Sequence, residues 1–123
     1  MLQIDPASPV PINDQIKAGL RGLVARGLLK PGDLAPSIRG LAASLKVNPN
    51  TVARAFRELA LEGFLESRRG DGNYVSDKAK RQVQQNLGGV RAGLNEALLS
   101  ARRGGLPWRE VEALVQKVRA EEP

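Results

Sequence analysis

Side chains suited to reading DNA lie close together between Asn48 and Arg57. An asparagine such as Asn50 can make paired hydrogen bonds to adenine, and an arginine such as Arg54 can fork onto guanine, both in the major groove. Asn48 or Thr51 could contact a phosphate if a helix began there, because a helix N-terminus attracts anions. This stretch therefore predicts a helix that reads base pairs in duplex DNA.

A second basic cluster follows at Arg68 and Arg69, beside Gly70 and Gly72. Small residues let a backbone approach DNA closely, while the two guanidinium groups reach phosphates or the minor groove. Each cluster also has an ordinary interpretation, since asparagine and arginine are common on a solvated helix face and glycines are common in turns. The two clusters together with the net charge favour DNA binding.

The composition excludes several kinds of chemistry. The 123 residues carry a formal net charge of +6 and contain neither cysteine nor histidine. Disulfides, thiolate or imidazole metal sites and the usual nucleophile–base pairs are therefore absent, and we expect no metal, no cofactor and no enzymatic activity. An aromatic content of 3% disfavours a base-stacking surface for single strands, which leaves double-stranded DNA as the expected partner. Glu58, Glu62 and Glu66 are spaced as on the solvated edge of a helix.

No apolar run reaches the length of about 18 residues that spans a bilayer. The first residues also lack a basic leader followed by an apolar stretch. We expect a soluble, cytoplasmic protein that has no membrane partner.

Three helices are predicted in the first part of the chain, from the helical spacing of apolar residues. The first begins at Ile12 and ends near Arg26, and the second is a short helix over 38–45 that Ser37 caps. Lys46 and Val47 separate it from the third, which begins with Asn48 as cap and Pro49 in its first turn and runs to about residue 62.

A β-hairpin is predicted after the third helix. Two short, partly alternating segments at 65–68 and 73–75 flank the pair Asp71-Gly72, which favours a tight turn. Two helices with a short break, followed by a hairpin, are the order of a winged helix-turn-helix. We assign this DNA-binding domain to residues 1–76.

The same region resembles the winged helix-turn-helix of GntR-type bacterial transcription regulators. The resemblance lies in Pro36-Ser37-Ile38-Arg39, Leu41-Ala42, Val47, Thr51-Val52, Arg54-Ala55, Leu59, Gly63 and the run from Gly70 to Val75. It implies that Arg39 contacts DNA, as do Asn48, Asn50 and Thr51, and that the wing glycines approach the minor groove. The candidate DNA-binding residues are Ser37, Arg39, Asn48, Asn50, Thr51, Arg54, Arg57, Arg68, Arg69, Gly70, Gly72 and Asn73.

Residues 77–123 predict two further helices. Apolar residues from Val83 to Ala101 follow a heptad pattern, within which Gly88, Gly89 and Gly93 suggest a bend or a close approach between helices. Pro107 opens the last helix. The candidate dimerisation residues are Val83, Leu87, Val90, Leu94, Ala97, Leu98, Ala101, Trp108, Val111, Leu114, Val115 and Val118.

Two helices of this size are too small to form a separate core, so burial against a second copy is expected. The alternative is that they pack only onto their own winged domain. They also cannot enclose a typical metabolite pocket alone. Whether a small-molecule effector exists is therefore left open by the sequence. The short C-terminal part resembles the YtrA-type branch of the GntR family, which implies that its helices dimerise.

We therefore expect a mainly α fold with a small β-wing, in which a winged helix-turn-helix is followed by a two-helix dimerisation segment. The expected function is that of a homodimeric repressor that occludes a promoter at a twofold-symmetric operator. The alternatives are a nonspecific architectural DNA-binding protein and a winged-helix module that binds other proteins.

Overall fold

The computed structural model describes residues 2–121. Within that range five helices and two strands follow one another, and the predicted mainly α fold with a small β-wing is confirmed. The elements are α1 (Ile12–Ala25), α2 (Ile38–Leu45), α3 (Pro49–Leu61), β1 (Leu65–Arg68), β2 (Gly72–Val75), α4 (Ala79–Arg103) and α5 (Trp108–Ala120).

The sharp turn between α2 and α3 is built by local capping. The Oγ atom of Ser37 accepts a hydrogen bond from the Gly40 N–H at 3.0 Å and starts α2. Lys46 ends α2 in the left-handed conformation, with φ at 58°. The side chain of Asn48 then accepts from the Asn50 N–H at 2.8 Å and starts α3. The predicted helix-turn-helix therefore follows from cap chemistry.

The core of the first part of the chain lies where α1, α2 and α3 meet, and the hairpin and the start of α4 close it. Phe64, which the periodicity did not indicate, is 1% exposed and joins α3 to β1. Burying a side chain of this size contributes about 1.5–3 kcal/mol. The other buried apolar residues include Ile16, Leu20, Leu23, Leu41, Ala42, Val52, Phe56, Leu59, Leu65, Val75, Ala79 and Val83.

The second strand of the hairpin begins one residue earlier than expected, and its turn lies two residues earlier. Arg68 pairs with Gly72, so the connection consists of residues 69–71 and not of Asp71-Gly72 alone. The Asp71 N–H donates to the Arg68 carbonyl at 2.9 Å, and Gly70 has a φ of 82°. A positive φ at the third position of a four-residue turn is the requirement of a type II turn, which glycine meets without strain.

The outer edge of β2 also carries a short pairing partner. Leu34 forms an isolated antiparallel bridge with Tyr74. The Ala35 N–H donates to the Asn73 carbonyl at 2.8 Å, and the Val75 N–H donates to the Asp33 carbonyl at 2.9 Å. These bonds tie the wing to the segment that leads into α2.

The chain divides into two compact units, Met1–Gln85 and Asn86–Pro123. We call them the winged unit and the C-terminal unit. The division thus lies inside α4 and not at the expected Ser76, because Ala79 and Val83 are buried in the core of the winged unit. Val83 is therefore a core residue and does not belong to a free seam.

Within the C-terminal unit, α4 continues through all three of its glycines. A Cβ atom at Gly88, Gly89 or Gly93 would meet no atom within 4 Å, so the close helix approach suggested by these residues is not made within the described chain. After α4, Gly105 adopts a φ of 81° and the Leu106 N–H donates to the Ala101 carbonyl at 2.9 Å. Over residues 2–121, no helix combines the length and apolar character needed to cross a membrane.

Candidate nucleic-acid interface

Helix α3 has one face in the core and one face in solvent. Val52, Phe56 and Leu59 are buried. Asn50, Arg54 and Arg57 are exposed, and we call these three residues the recognition face. An apolar stripe holds a helix against its domain and leaves the opposite side free for a ligand. The division of α3 into a core side and an exposed side is as the sequence predicts, and the reading of bases by the exposed side stays a prediction.

The capping residues beside this face keep donors for a phosphate. The Oδ1 atom of Asn48 is used in the cap of α3, which leaves the two N–H donors of its Nδ2 group. Thr51 is half-buried in the first turn of α3. Arg39 is exposed near the start of α2, where Ser37 is also exposed although its hydroxyl caps that helix. These positions suit contacts that fix the register of a protein on DNA.

A carboxylate that the sequence analysis treated as solvated organises the seam between α1 and α3. Glu58 Oε1 accepts from Lys17 Nζ at 3.0 Å, and Glu58 Oε2 accepts from Asn13 Nδ2 at 2.9 Å. Glu58 Oε2 also accepts from Arg54 Nε at 3.1 Å, within the recognition face. The Lys17 hydrogen bond, helped by those from Asn13 and Arg54, holds the pKa of Glu58 below its usual value.

Glu62 is likewise not on a free edge, because Arg21 Nη2 lies 2.8 Å from Glu62 Oε1. The sequence carried a signal for both ion pairs. Lys17 and Arg21 are four residues apart on α1, as Glu58 and Glu62 are on α3. Matching i, i+4 pairs of opposite charge on two packed helices indicate a shared seam.

The wing presents its basic side chains in two ways. The Cζ atom of Arg68 lies 4.0 Å from the centroid of the Tyr74 ring, a cation–π contact. Arg69 and Gly70 are exposed in the connection between the strands. Tyr74 was not among the predicted site residues. It lies two residues beyond Gly72, the partner of Arg68 in the hairpin, and this diagonal cross-strand position was the signal for the contact.

The structure brings the wing and the start of α2 together. Gly72 and Asn73 line one shallow surface pocket with Ser37, Leu34 and Pro36. Gly72 has a φ of 105°, and a Cβ atom there would lie 3.4 Å from the Cδ1 atom of Leu34. A side chain at this position would be strained, so the backbone of the wing stays open to a ligand.

The predicted dimerisation residues other than Val83 lie in the C-terminal unit, and most are exposed. Leu94, Trp108 and Val118 are 60%, 55% and 63% exposed. Leu87, Leu98, Ala101 and Val111 are half-buried, and Val90, Ala97, Leu114 and Val115 are exposed. An apolar surface built from so many exposed side chains is unusual on a protein without a partner.

An open groove runs through this surface. It is lined by Leu94 of α4 and by Leu114, Val115, Val118 and Arg119 of α5, and we call it the C-terminal groove. Leu106, which the sequence analysis did not single out, is 39% exposed beside the same helix. Four of the five side chains that line the groove are apolar, so the matching ligand surface must be apolar as well.

Comparison with known proteins identifies close relatives. The family model described as bacterial regulatory proteins, gntR family, matches residues 12–75. The HTH-type transcriptional repressor YtrA of Bacillus subtilis (strain 168) is 36% identical over 122 residues, which cover 98% of this chain and 94% of that protein. Both units of this chain therefore have counterparts in that repressor.

Solved structures show the same similarity. YtrA from Sulfolobus acidocaldarius, a GntR-family transcription factor, matches with a TM-score of 0.60 and 37% identity over 80% of this chain and 97% of that one. The DNA-binding domain of AraR, solved in complex with operator ORX1, matches with a TM-score of 0.55 and 26% identity. That match covers 61% of this chain and 93% of the AraR domain.

Proposed function

This chain belongs to the GntR family of bacterial regulatory proteins, and from that premise we propose that it is a homodimeric repressor of a twofold-symmetric operator. It is a DNA-binding transcriptional regulator with a winged helix-turn-helix. In the proposal, two winged units bind two half-sites of a promoter and exclude the transcription machinery from it.

The observation that carries the proposal is the recognition face of α3. Asn50, Arg54 and Arg57 share one exposed side of a capped helix whose other side is fixed in the core. In helix-turn-helix proteins such a helix enters the major groove with its N-terminal residues on base edges. The exposed wing residues Arg68 and Arg69 supply phosphate or minor-groove contacts beside it.

The homodimer is supported by the C-terminal groove. Its apolar side chains are exposed in the single chain, and a second copy offers a surface of the same chemistry. A twofold dimer interface uses the same patch on both subunits, so one apolar patch is enough to close it. Two half-sites bound by linked winged units then have the symmetry of a palindromic operator.

Selection of bound duplexes from a random pool tests the proposal. The full chain is incubated with the pool, the enriched site is read, and the dissociation constants for this site and for a random duplex of equal length are measured. A specific repressor binds its site on the order of a thousandfold or more tighter than random DNA. We expect the enriched site to be a palindrome with half-sites about one helical turn, or a multiple of it, apart.

Two other outcomes would contradict the proposal. Equal and substantial affinity for the enriched site and for random DNA would indicate an architectural DNA-binding protein. Little affinity for either duplex would indicate a winged-helix module that binds other proteins. An enriched site without twofold symmetry would argue against the dimer on DNA.

A further inference from the structure

We propose that Glu58 is a positioning residue for Arg54, and that this pair makes the recognition face prefer base edges over phosphates. The inference rests on the proposed function, because it gives Glu58 a part in operator reading. It starts from one contact, in which Arg54 Nε donates to Glu58 Oε2 at 3.1 Å. The Arg54 side chain is nevertheless 68% exposed, so its far end is available to a ligand.

Glu58 is held from behind by α1. Lys17 Nζ donates to its Oε1 at 3.0 Å, and Asn13 Nδ2 donates to its Oε2 at 2.9 Å. An ordinary ion pair between two solvated side chains samples many geometries. A carboxylate with two further donors from a neighbouring helix has little freedom to swing. Arg54 is therefore tethered to a point that the fold itself fixes.

The tether decides which donors of Arg54 remain for DNA. A guanidinium group carries five N–H donors in a planar fork. With the Nε–H occupied by Glu58, the four N–H groups on the two terminal nitrogens are left. One N–H from each terminal nitrogen matches the O6 and N7 acceptors of a guanine. The contact thus pre-orients the part of Arg54 that can recognise a base.

The charge of Glu58 has a second consequence. Sequence-independent binding is dominated by neutralisation of phosphates by basic side chains. A carboxylate 3.1 Å from Arg54 Nε offsets much of the attraction between this arginine and a phosphate. Glu58 repels the neutral edge of a guanine far less than it repels a charged phosphate. Glu58 therefore lowers the affinity for random DNA more than the affinity for the operator.

Four proteins test this inference: the wild type, Glu58→Gln, Arg54→Ala and the double variant. Each is titrated against the selected operator and against a random duplex of equal length. We expect Glu58→Gln to bind random DNA about two- to fivefold more tightly, as the removal of one exposed charge interaction allows. The operator-to-random affinity ratio should fall, because random DNA gains more attraction than the operator does and Arg54 loses its pre-orientation. In the Arg54→Ala background, Glu58→Gln should leave this ratio unchanged, because its effect acts through Arg54.

Two further variants separate positioning from charge. Glu62→Gln removes the same charge one turn further along the helix, from a side chain that pairs with Arg21 of α1. We expect it to leave the affinity ratio unchanged. Glu58→Asp keeps the charge but shortens its reach to Arg54, so random-DNA affinity should stay near that of the wild type while the ratio falls. Circular dichroism confirms that each variant is folded at the assay temperature.

The outcomes are distinguishable. Three results would each overturn the inference: an unchanged affinity ratio in Glu58→Gln, an equal fall of the ratio in Glu62→Gln, or a wild-type ratio in Glu58→Asp. In each of these cases, a wild type that prefers its operator to random DNA still supports the proposed function. A wild type without any preferred site would overturn the proposed function and the inference with it.

Discussion

The side-chain amide of Gln82 donates from Nε2 to the main-chain carbonyl of Glu62 at 2.9 Å. This bond joins the second turn of α4 to the residue that caps the end of α3. Ala79 and Val83, on the same part of α4, are 0% and 2% exposed in the core of the winged unit. The start of α4 is therefore a structural part of the winged unit.

A fragment of residues 1–85 should be more stable than a fragment of residues 1–76. The shorter fragment loses the buried side chains of Ala79 and Val83 and the Gln82 hydrogen bond. We expect its free energy of unfolding to be at least about 2 kcal/mol lower, given the value of one buried valine. Urea unfolding followed by circular dichroism measures the difference. Equal stability of the two fragments would show that α4 contributes nothing to the winged unit.

The helices and their order could be predicted because their signals are local. Ser37 and the Asn48-Pro49 pair start α2 and α3 through hydrogen bonds within three residues, and such caps are visible in the sequence. Apolar spacing likewise predicts which side of α3 faces the core. These features depend little on the rest of the fold.

The features that were missed depend on tertiary contacts. A heptad pattern predicts an apolar stripe but not what covers it, so Val83 was assigned to a seam although the winged core buries it. The pattern of Glu58 and Glu62 predicts a polar helix edge but not the α1 side chains that face it. The turn of the wing lies two residues earlier than expected, because the Asp71 N–H closes it on the Arg68 carbonyl with Gly70 at the third position, while Gly72 already pairs with Arg68 in the strand.

Reading and anchoring contacts should separate by mutation. Arg54→Ala should weaken operator binding by about 1–3 kcal/mol and relax the base preference at one position, because a bidentate contact to a base is lost. Arg69→Ala should weaken the binding of operator and random DNA evenly, because the contact proposed for this exposed wing arginine is with the DNA backbone. Dissociation constants on both duplexes decide between the roles. An even loss for Arg54→Ala would contradict its role as a reader.

The affinity for DNA should fall steeply with salt. Six basic residues lie between 37 and 76. In the proposed dimer, two winged units would bring both sets to one operator. If a dimer makes about six to ten phosphate contacts, its affinity should drop on the order of a thousandfold or more between about 50 and 200 mM salt. Titration at several salt concentrations gives the slope. A nearly flat dependence would contradict a binding mode based on phosphate contacts.

The contribution of Glu58 to stability should disappear in acid. Its pKa in the folded protein is lowered, chiefly by the hydrogen bond from Lys17 and then by that from Asn13. The folded state therefore binds this proton less readily than the unfolded chain, in which a glutamate has a pKa of about 4.3. The stabilisation is fully present above that value and is lost as the pH falls through the lower, folded pKa.

Melting temperatures of the wild type and Glu58→Gln at neutral pH and at about pH 3 test this expectation. The wild type should melt higher at neutral pH, and the difference should narrow in acid. Glu112→Gln serves as the control, because Glu112 is exposed on α5 and makes no ion pair among the described residues. A difference that persists unchanged in acid would mean that the charge of Glu58 does not stabilise the fold.

Leu94→Asp should dissociate the proposed dimer without unfolding the chain. Leu94 is 60% exposed and lines the C-terminal groove, so an aspartate there costs the single chain little. In the proposed dimer the same carboxylate would lose its water among the apolar side chains of the groove, and this desolvation opposes dimerisation even with Arg119 nearby. Asn95→Asp adds an equal charge at the next exposed position of α4 and is the matched control.

Light scattering across a dilution series should give the mass of a monomer for Leu94→Asp and of a dimer for the control. Operator affinity should fall on the order of a hundredfold for Leu94→Asp alone, since its half-sites lose the effective concentration of a linked partner. A Leu94→Asp protein that remains dimeric would place the interface elsewhere on the chain.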